Sequence, residues 1–276
     1  LFLSSLCIAI STCQGLDSTD LCLRMLLTQG SAPNLLPDLL AELAAMRIYP
    51  VIWATMNVIE ALNQRKSTRA FLHRDVDKAI VEEILYAARQ APSGANTQPW
   101  QVAVVSGEKK RALEQRIEAA FQDGVEAKMD YFYYPTEWAE PYKSRRVACG
   151  LQLYTALQIE REDKQRRRDQ WAANYRAFDA PVALFFFMDA GLQTGSFVDY
   201  GMFLQSLMLA AVDKGLATCP QAALAEYPLI VKQELGYPED SILICGMALG
   251  YENRDAAINR YRVPRVEVSA FARFFD

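Results

Sequence analysis

The chain is poor in the residues from which most catalytic machinery is built. It has one histidine, His73, in 276 residues. A histidine-ligated metal cluster is therefore excluded, and a serine–histidine–aspartate triad survives only if His73 is its base. The six cysteines are Cys7, Cys13, Cys22, Cys149, Cys219 and Cys245. They form no C-x-x-C pair and are too few for a disulfide scaffold of this length, which points to reduced thiols and a cytoplasmic protein. No G-x-G-x-x-G occurs, so no dinucleotide-binding Rossmann unit is present. Positive charge is not in excess: 29 Lys and Arg stand against 33 Asp and Glu, a net charge of −4. That balance argues against a nucleic-acid partner, which needs cations to displace phosphate counterions. The opening apolar run, Leu1–Ile10, is too short and interrupted to span a bilayer, and it lacks the basic flank and cleavage site of a signal peptide. Metal, nucleic acid and membrane are all expected to be absent from the protein's function.

What is present is an apolar fraction of 51%, enough for one large core or two small ones. The composition shifts near Met56. Residues 1–55 hold half of the cysteines; a short amphipathic helix fits Pro33–Met46 and is broken by Pro50. Met56-Asn57-Val58-Ile59-Glu60-Ala61-Leu62 has the look of a protein's beginning, so residues 1–55 read as a leader or a mis-called start outside the core, with a genuine extra subdomain as the alternative. From Met56 helices and strands alternate. Asp77 caps a helix whose apolar face is Ile80, Val81, Ile84, Leu85 and Ala88, with Val76 and Val81 as a staple. Trp100–Ser106 reads as a strand, and the residues to Phe121 as a helix. Residues 125–176 read as irregularly helical. Pro181–Met188 and Ser241–Gly250 are apolar without alternation, the pattern of strands covered on both faces. Asp199–Lys214 is an apolar helix with Gly215 at the left-handed cap position. The tail from Asn253 carries no core of its own and is expected to pack outside its own domain.

Two segments carry chemistry. Arg65-Lys66-Ser67-Thr68-Arg69, at a helix end, sets three cations and two hydroxyls where a phosphate can be held by guanidinium forks and a serine. A solvated helix end, its cations set against the helix dipole, explains the same residues. Ala91-Pro92-Ser93-Gly94-Ala95-Asn96-Thr97-Gln98-Pro99-Trp100 joins a helix to a strand. A plain turn also uses glycine and proline, but it does not need ten specified positions.

Together these segments, R-K-S-x-R followed by P-S-G-x-N-x-Q-P-W, resemble the opening signature of the FMN-dependent nitroreductase family. The likeness continues in Thr218-Cys219-Pro220-Gln221-Ala222-Ala223-Leu224 and in Asn259-Arg260-Tyr261-Arg262-Val263-Pro264-Arg265, and so covers nearly all of residues 56–276. It implies an α+β fold with a central, mostly antiparallel sheet flanked by helices, and an intertwined homodimer holding FMN at the subunit interface. It also implies that Arg65, Lys66 and Ser67 hold the phosphate and ribityl chain and that Arg69 lies near the N1/O2 edge of the ring. Pro92, Ser93, Gly94, Asn96 and Gln98 would reach the same flavin from the other subunit. Pro220, Gln221 and Ala222 would offer a backbone N–H towards N5, although family members often carry Glu-Gly after this proline. Arg262 and Arg265 would close on the phosphate, with Arg260 as a possible substitute.

The reaction the resemblance implies is ping-pong: NAD(P)H gives a hydride to flavin N5 and leaves, and a nitroaromatic or quinone then takes the electrons. No protein acid, base or nucleophile is required, and no catalytic side chain is expected. The same scaffold in other hands serves reductive dehalogenation, enone reduction or heterocycle oxidation, and a flavin-binding protein without turnover is a further alternative. Met129–Trp138, with five aromatics in ten residues, suits either a wall for flat substrates or core and dimer packing. Glu160–Asp169 mixes both signs, as a solvated helix does; a basic rim that steers nicotinamide phosphates is the rarer use. A chain beginning at Met56 should fold, load FMN and turn over at an undiminished rate; flavin loss from the shortened chain, read by absorbance after gel filtration, would return residues 1–55 to the fold.

Overall fold

The computed structural model describes residues 56–275. The expectations for residues 1–55, the helix at 33–46 and the leader among them, fall outside the described residues. Strand β1 (Gln101–Ser106) pairs with β2 (Val182–Met188), β2 with β4 (Ile242–Gly250), and β4 with β3 (Ala217–Gln221) at the far edge. Every pairing is antiparallel.

The central strand β2 explains the architecture. All seven of its residues are buried, and successive side chains of a strand point to opposite faces. Ala183, Phe185 and Phe187 enter one core with Leu113, Ile117 and Tyr175; Val182, Leu184, Phe186 and Met188 enter a second with Ile84, Phe203 and Leu207. An unbroken apolar strand is stable only when layers cover both faces, and seven helices among the described residues do that covering. They are α1 (Val58–Gln64), α2 (Lys78–Ala88), α3 (Gly107–Gln122), α4 (Tyr142–Ala156), α5 (Lys164–Ala172), α6 (Gly195–Asp213) and α7 (Pro228–Leu235).

Most of these elements follow their local signals. Asp77 accepts a hydrogen bond from Ala79 N at 2.9 Å, and Val81, Ile84 and Ala88 are the buried face of α2. Helix α6 begins one turn before the expected Asp199 and ends at Asp213, with Lys214 as its cap and Gly215 beyond it at a φ of +69°, left-handed as expected. It is long and apolar enough to cross a membrane by length and composition, yet Tyr200, Phe203, Leu207 and Ala211 build the second core. Burial of each such side chain contributes about 1.5–3 kcal/mol. The charged run at 160–169 becomes helical only from Lys164, where Asp163 caps by accepting from Arg166 N at 3.0 Å. The tail departs from expectation over its first part. Ile258 and Asn259 are buried against their own chain, and the residues from Arg260 onward are largely exposed.

The aromatic segment is fastened at its root. Between Phe186 and Phe187 the β2–β4 register slips, so that Ile244 and Cys245 turn to the same core. The slip is a β-bulge, and it leaves ladder groups of β4 in need of other partners. Asp130 Oδ2 accepts from Leu243 N at 2.9 Å, and the Tyr131 hydroxyl donates to the Ile244 carbonyl at 2.6 Å. The other oxygen of Asp130 binds Lys232 Nζ at 2.9 Å, and Lys232 is only 1% exposed. Beyond this clasp Phe132, Tyr133 and Tyr134 are exposed, while Tyr131 packs on Phe197 with ring centroids 4.8 Å apart. Asp130→Ala leaves a buried ammonium with the Glu239 carbonyl, 2.9 Å away, but no counter-charge, and a strand N–H unpaired. Chemical denaturation should show a loss of about 3–5 kcal/mol, the usual cost of uncoupling a buried pair; a loss below about 1 kcal/mol would mean that Lys232 reaches water unaided.

Candidate functional site

The segment after α1 is drawn out of helical geometry and laid along the sheet. A capping box starts α1: Asn57 Oδ1 accepts from Glu60 N at 2.9 Å and Glu60 Oε2 accepts from Asn57 N at 3.2 Å. The helix stops at Arg65, whose ψ of 130° is extended. Ser67 then bridges to Thr218 in parallel fashion, with Thr68 N donating to the Thr218 carbonyl at 3.0 Å. Further on, Leu72 N donates to Tyr251 O at 2.8 Å and Asn253 N to Ala70 O at 3.0 Å. Two sequence motifs about 150 residues apart thus become neighbours through backbone pairing alone.

Asn259 locks the third motif to the first. It is 3% exposed. Its Oδ1 accepts from Arg69 N at 2.9 Å, and its Nδ2 donates to Ala70 O at 2.8 Å and to Asn253 O at 2.9 Å. Lys66 is drawn into the same knot: its Nζ lies 2.6 Å from Glu252 Oε1 and also donates to the Asn259 carbonyl. The charge of Lys66 is therefore met inside the protein, unlike that of the arginines around it.

Those arginines converge. Arg262 donates to the Gln64 carbonyl, and Arg265 lies near enough to join it in acting on Arg65. Burial first, then Arg265 and Arg262, pull the Arg65 guanidinium below its ordinary range. Among the described residues no carboxylate pairs with Arg65, Arg69, Arg262 or Arg265. Beside them the Cys219 thiol is pushed up to about 11 by burial, against the opposing pull of Arg69, Ser67 and Arg65. Cations held close together without a carboxylate make a setting suited to an anion.

The Pro220-Gln221-Ala222 segment, where β3 ends, is held from behind. Gln221 Nε2 donates to Asn174 O at 2.9 Å and to Asn174 Oδ1 at 3.3 Å, so its side chain points into the protein. The turn that follows presses on β4 at Gly246, where an added Cβ would lie 2.4 Å from Leu224 Cδ1; only glycine permits that approach.

The 92–98 loop lies elsewhere. Gly94 N donates to Asp199 Oδ1 at 3.1 Å and Gln98 N to Ser93 Oγ at 2.9 Å, with Trp100 stacked on Phe203 at 4.8 Å. Ala95, Asn96 and Gln98 have φ of 49°, 57° and 47°, left-handed values that cost non-glycine residues energy unless the surroundings enforce them. Pro92, Gly94, Asn96 and Gln98 are exposed, and among the described residues no hydrogen bond or ion pair joins this loop to the arginine cluster. His73 is exposed, and no group of three or more metal-ligating side chains exists among the described residues. The roles of Asn259, Glu252 and Asp130 were not anticipated; each is a single polar residue whose partners come from distant segments, and no local spacing marks it.

An antiparallel sheet between helical layers, with a group of arginines beside its edge strand, defines the protein as one of the α+β class. The nitroreductase family profile matches residues 62–251, and the chain belongs to that family. A 4-nitrobenzoate reductase of Pseudomonas putida is 37% identical over 210 residues, which are 76% of this chain and 92% of that one. An FMN- and NADPH-dependent nitroreductase, NfnB of Sphigopyxis sp. strain HMH, superposes with a TM-score of 0.78 at 41% identity, covering 80% of this chain and 99% of that one. The FMN-dependent NfnB of Mycobacterium smegmatis, solved with NADPH, gives 0.75 at 31% identity, over 80% and 100% of the two chains.

Proposed function

We propose that this protein is an FMN-dependent NAD(P)H oxidoreductase that reduces nitroaromatic compounds, and quinones, in one pocket used in turn by reductant and acceptor. The observation that carries the proposal is the set of three guanidinium groups at Arg65, Arg262 and Arg265 with no carboxylate among them. They fit the phosphate of FMN, and the Ser67 hydroxyl adds a neutral contact; Lys66 acts through its pairing with Glu252, by fixing the strand on which Ser67 stands. Arg69, held at its backbone by Asn259, offers a cation to the pyrimidine edge of the ring. Pro220, Gln221 and Ala222 present backbone to the ring while Asn174 holds the Gln221 side chain away from it. Bound there, FMN would supply the hydride chemistry, at its N5, that links the nicotinamide to the acceptor. The protein positions the reactants and supplies fixed charge, so the exposed His73 has no proton to move.

The active unit is a homodimer in a cytoplasmic setting. Three features support a second copy: the 92–98 loop, exposed and unbonded to the arginines; the open aromatic end of the tail, where Phe274 and Phe275 are 84% and 87% exposed; and the prevalence of two-fold dimers. In such a dimer Pro92, Ser93, Gly94, Asn96 and Gln98 complete the partner's flavin site. The kinship with a 4-nitrobenzoate reductase supports nitroaromatic acceptors.

Arg65→Ala should weaken FMN binding by about 1.5–3 kcal/mol, the value of hydrogen bonds to a charged group, in fluorescence titration of the apoprotein. An unchanged affinity would return Arg65 to the role of a solvated helix end. For turnover, double-reciprocal plots against NAD(P)H should be parallel at several nitroaromatic concentrations, and His73→Gln should leave the rate within about twofold. Intersecting lines would show that both substrates bind together, which one shared pocket cannot allow.

A further inference from the structure

Between the end of α3, α5 and the residues that follow β3 lies a cavity of about 320 Å³, lined by none of the residues assigned above to FMN. Its walls are aromatic: Phe121 and Tyr175, with centroids 4.9 Å apart, Tyr227 at 5.7 Å from Tyr175, and Trp171, which is 46% exposed at the rim. Two charged residues share the lining, Arg168 and Glu226. They are not equivalent. Arg168 donates to the Phe121 and Gln122 carbonyls at 3.4 and 2.9 Å and to Gln122 Oε1 at 3.1 Å, so its charge caps the C-terminal end of α3. Glu226 has no cationic partner among the described residues. Its Oε2 accepts from the Tyr175 hydroxyl, which in turn accepts from Trp171 Nε1 at 3.1 Å. That chain of hydrogen bonds fixes the carboxyl at the aromatic walls and leaves Oε1 without a donor from the described residues. Burial pushes the carboxyl up from its ordinary range, against the Tyr175 hydrogen bond, as befits an acid without a counter-ion.

Aromatic faces carry negative electrostatic potential, and desolvated rings attract cations, quaternary ammonium groups above all. A carboxylate at the same wall adds a full opposite charge. We infer that this cavity is a second small-molecule site, which binds an organic ammonium ion by placing its charged head against Glu226 and its alkyl groups against Trp171, Tyr175, Tyr227 and Phe121. The cavity has the size of small-ligand pockets, which begin at about 300 Å³. None of the arginines of the Arg65 cluster lines it, and the one arginine that does, Arg168, is engaged with carbonyls at the end of α3.

The test uses the full-length, FMN-loaded protein and two probes of one shape: choline and its neutral carbon isostere, 3,3-dimethylbutan-1-ol. Isothermal titration should show choline bound at least about tenfold more tightly than the alcohol, the scale of a cation–π contact with a desolvated ring. Glu226→Gln should abolish that preference, and Trp171→Ala should weaken choline at least fivefold, with the FMN content of both variants unchanged as proof of folding. Choline binding no tighter than the alcohol would overturn the inference. So would a preference that persists in folded Glu226→Gln, which would move the cation to another site such as the flavin pocket. Should Glu226→Gln lose FMN, saturation-transfer NMR between choline methyls and the aromatic protons of the parent protein decides, since contact is required and its absence refutes the site.

Discussion

The few backbone hydrogen bonds that lay residues 67–72 between the ends of β3 and β4 are the constraint on which the candidate site depends. Thr68 takes the Thr218 carbonyl, Leu72 takes that of Tyr251, and Asn253 returns a bond to Ala70. Each bond is individually modest, about 0.5–1.5 kcal/mol net. Their consequence is positional: they convert a helix end into a short strand-like segment and so decide where Arg65, Ser67 and Arg69 point. Asn259 extends the same logic to the tail. It saturates a buried amide with three partners from two segments, which fixes the approach of the chain that carries Arg262 and Arg265. Removal of the side chain would leave buried donors and acceptors unmet, the costly outcome for any buried polar network.

Energy stored by that arrangement is electrostatic. Lys66 and Glu252 neutralise each other within the knot, whereas Arg65, Arg262 and Arg265 repel one another across it. The 92–98 loop carries its strain in another form, as left-handed backbone at Ala95, Asn96 and Gln98 held by Asp199, Ser93 and the Trp100 stack. In both places the arrangement is fixed by contacts within the chain.

Around this site the sheet supplies stiffness and the bulge supplies an attachment point. The slip between Phe186 and Phe187 exposes Leu243 N and the Ile244 carbonyl to Asp130 and Tyr131. An aromatic segment of no regular structure is thereby tied to the most buried layer of the protein at one end and left open at the other. The same β4 accepts the close approach of Leu224 at Gly246, which seats the Pro220–Ala222 segment.

The amino-acid sequence by itself determined the local elements and the chemical character of the site. The unalternating run Val182–Met188 required a doubly covered strand, Asp77 required a helix start, and Gly215 a left-handed stop, because each is a short-range consequence of side-chain shape and backbone hydrogen bonding. The density of cations at Arg65–Arg69 and Arg260–Arg265 was legible, although not that the two groups would lie near each other. Strand β3 stayed hidden, since Pro220 reads as a loop residue until the sheet order places it on an edge where a missing N–H costs little. Helix α7 was equally quiet, although Pro228 at its start and Gly236 at its end are ordinary boundary residues. Tertiary structure alone decided that Lys66 would be consumed by Glu252 while its neighbours stayed unpaired, that Asn259 would be the clamp, and that Glu226 would face aromatic walls without a counter-ion. These outcomes depend on which distant segments meet, and a charge or an amide bears no local mark of the partner it will find.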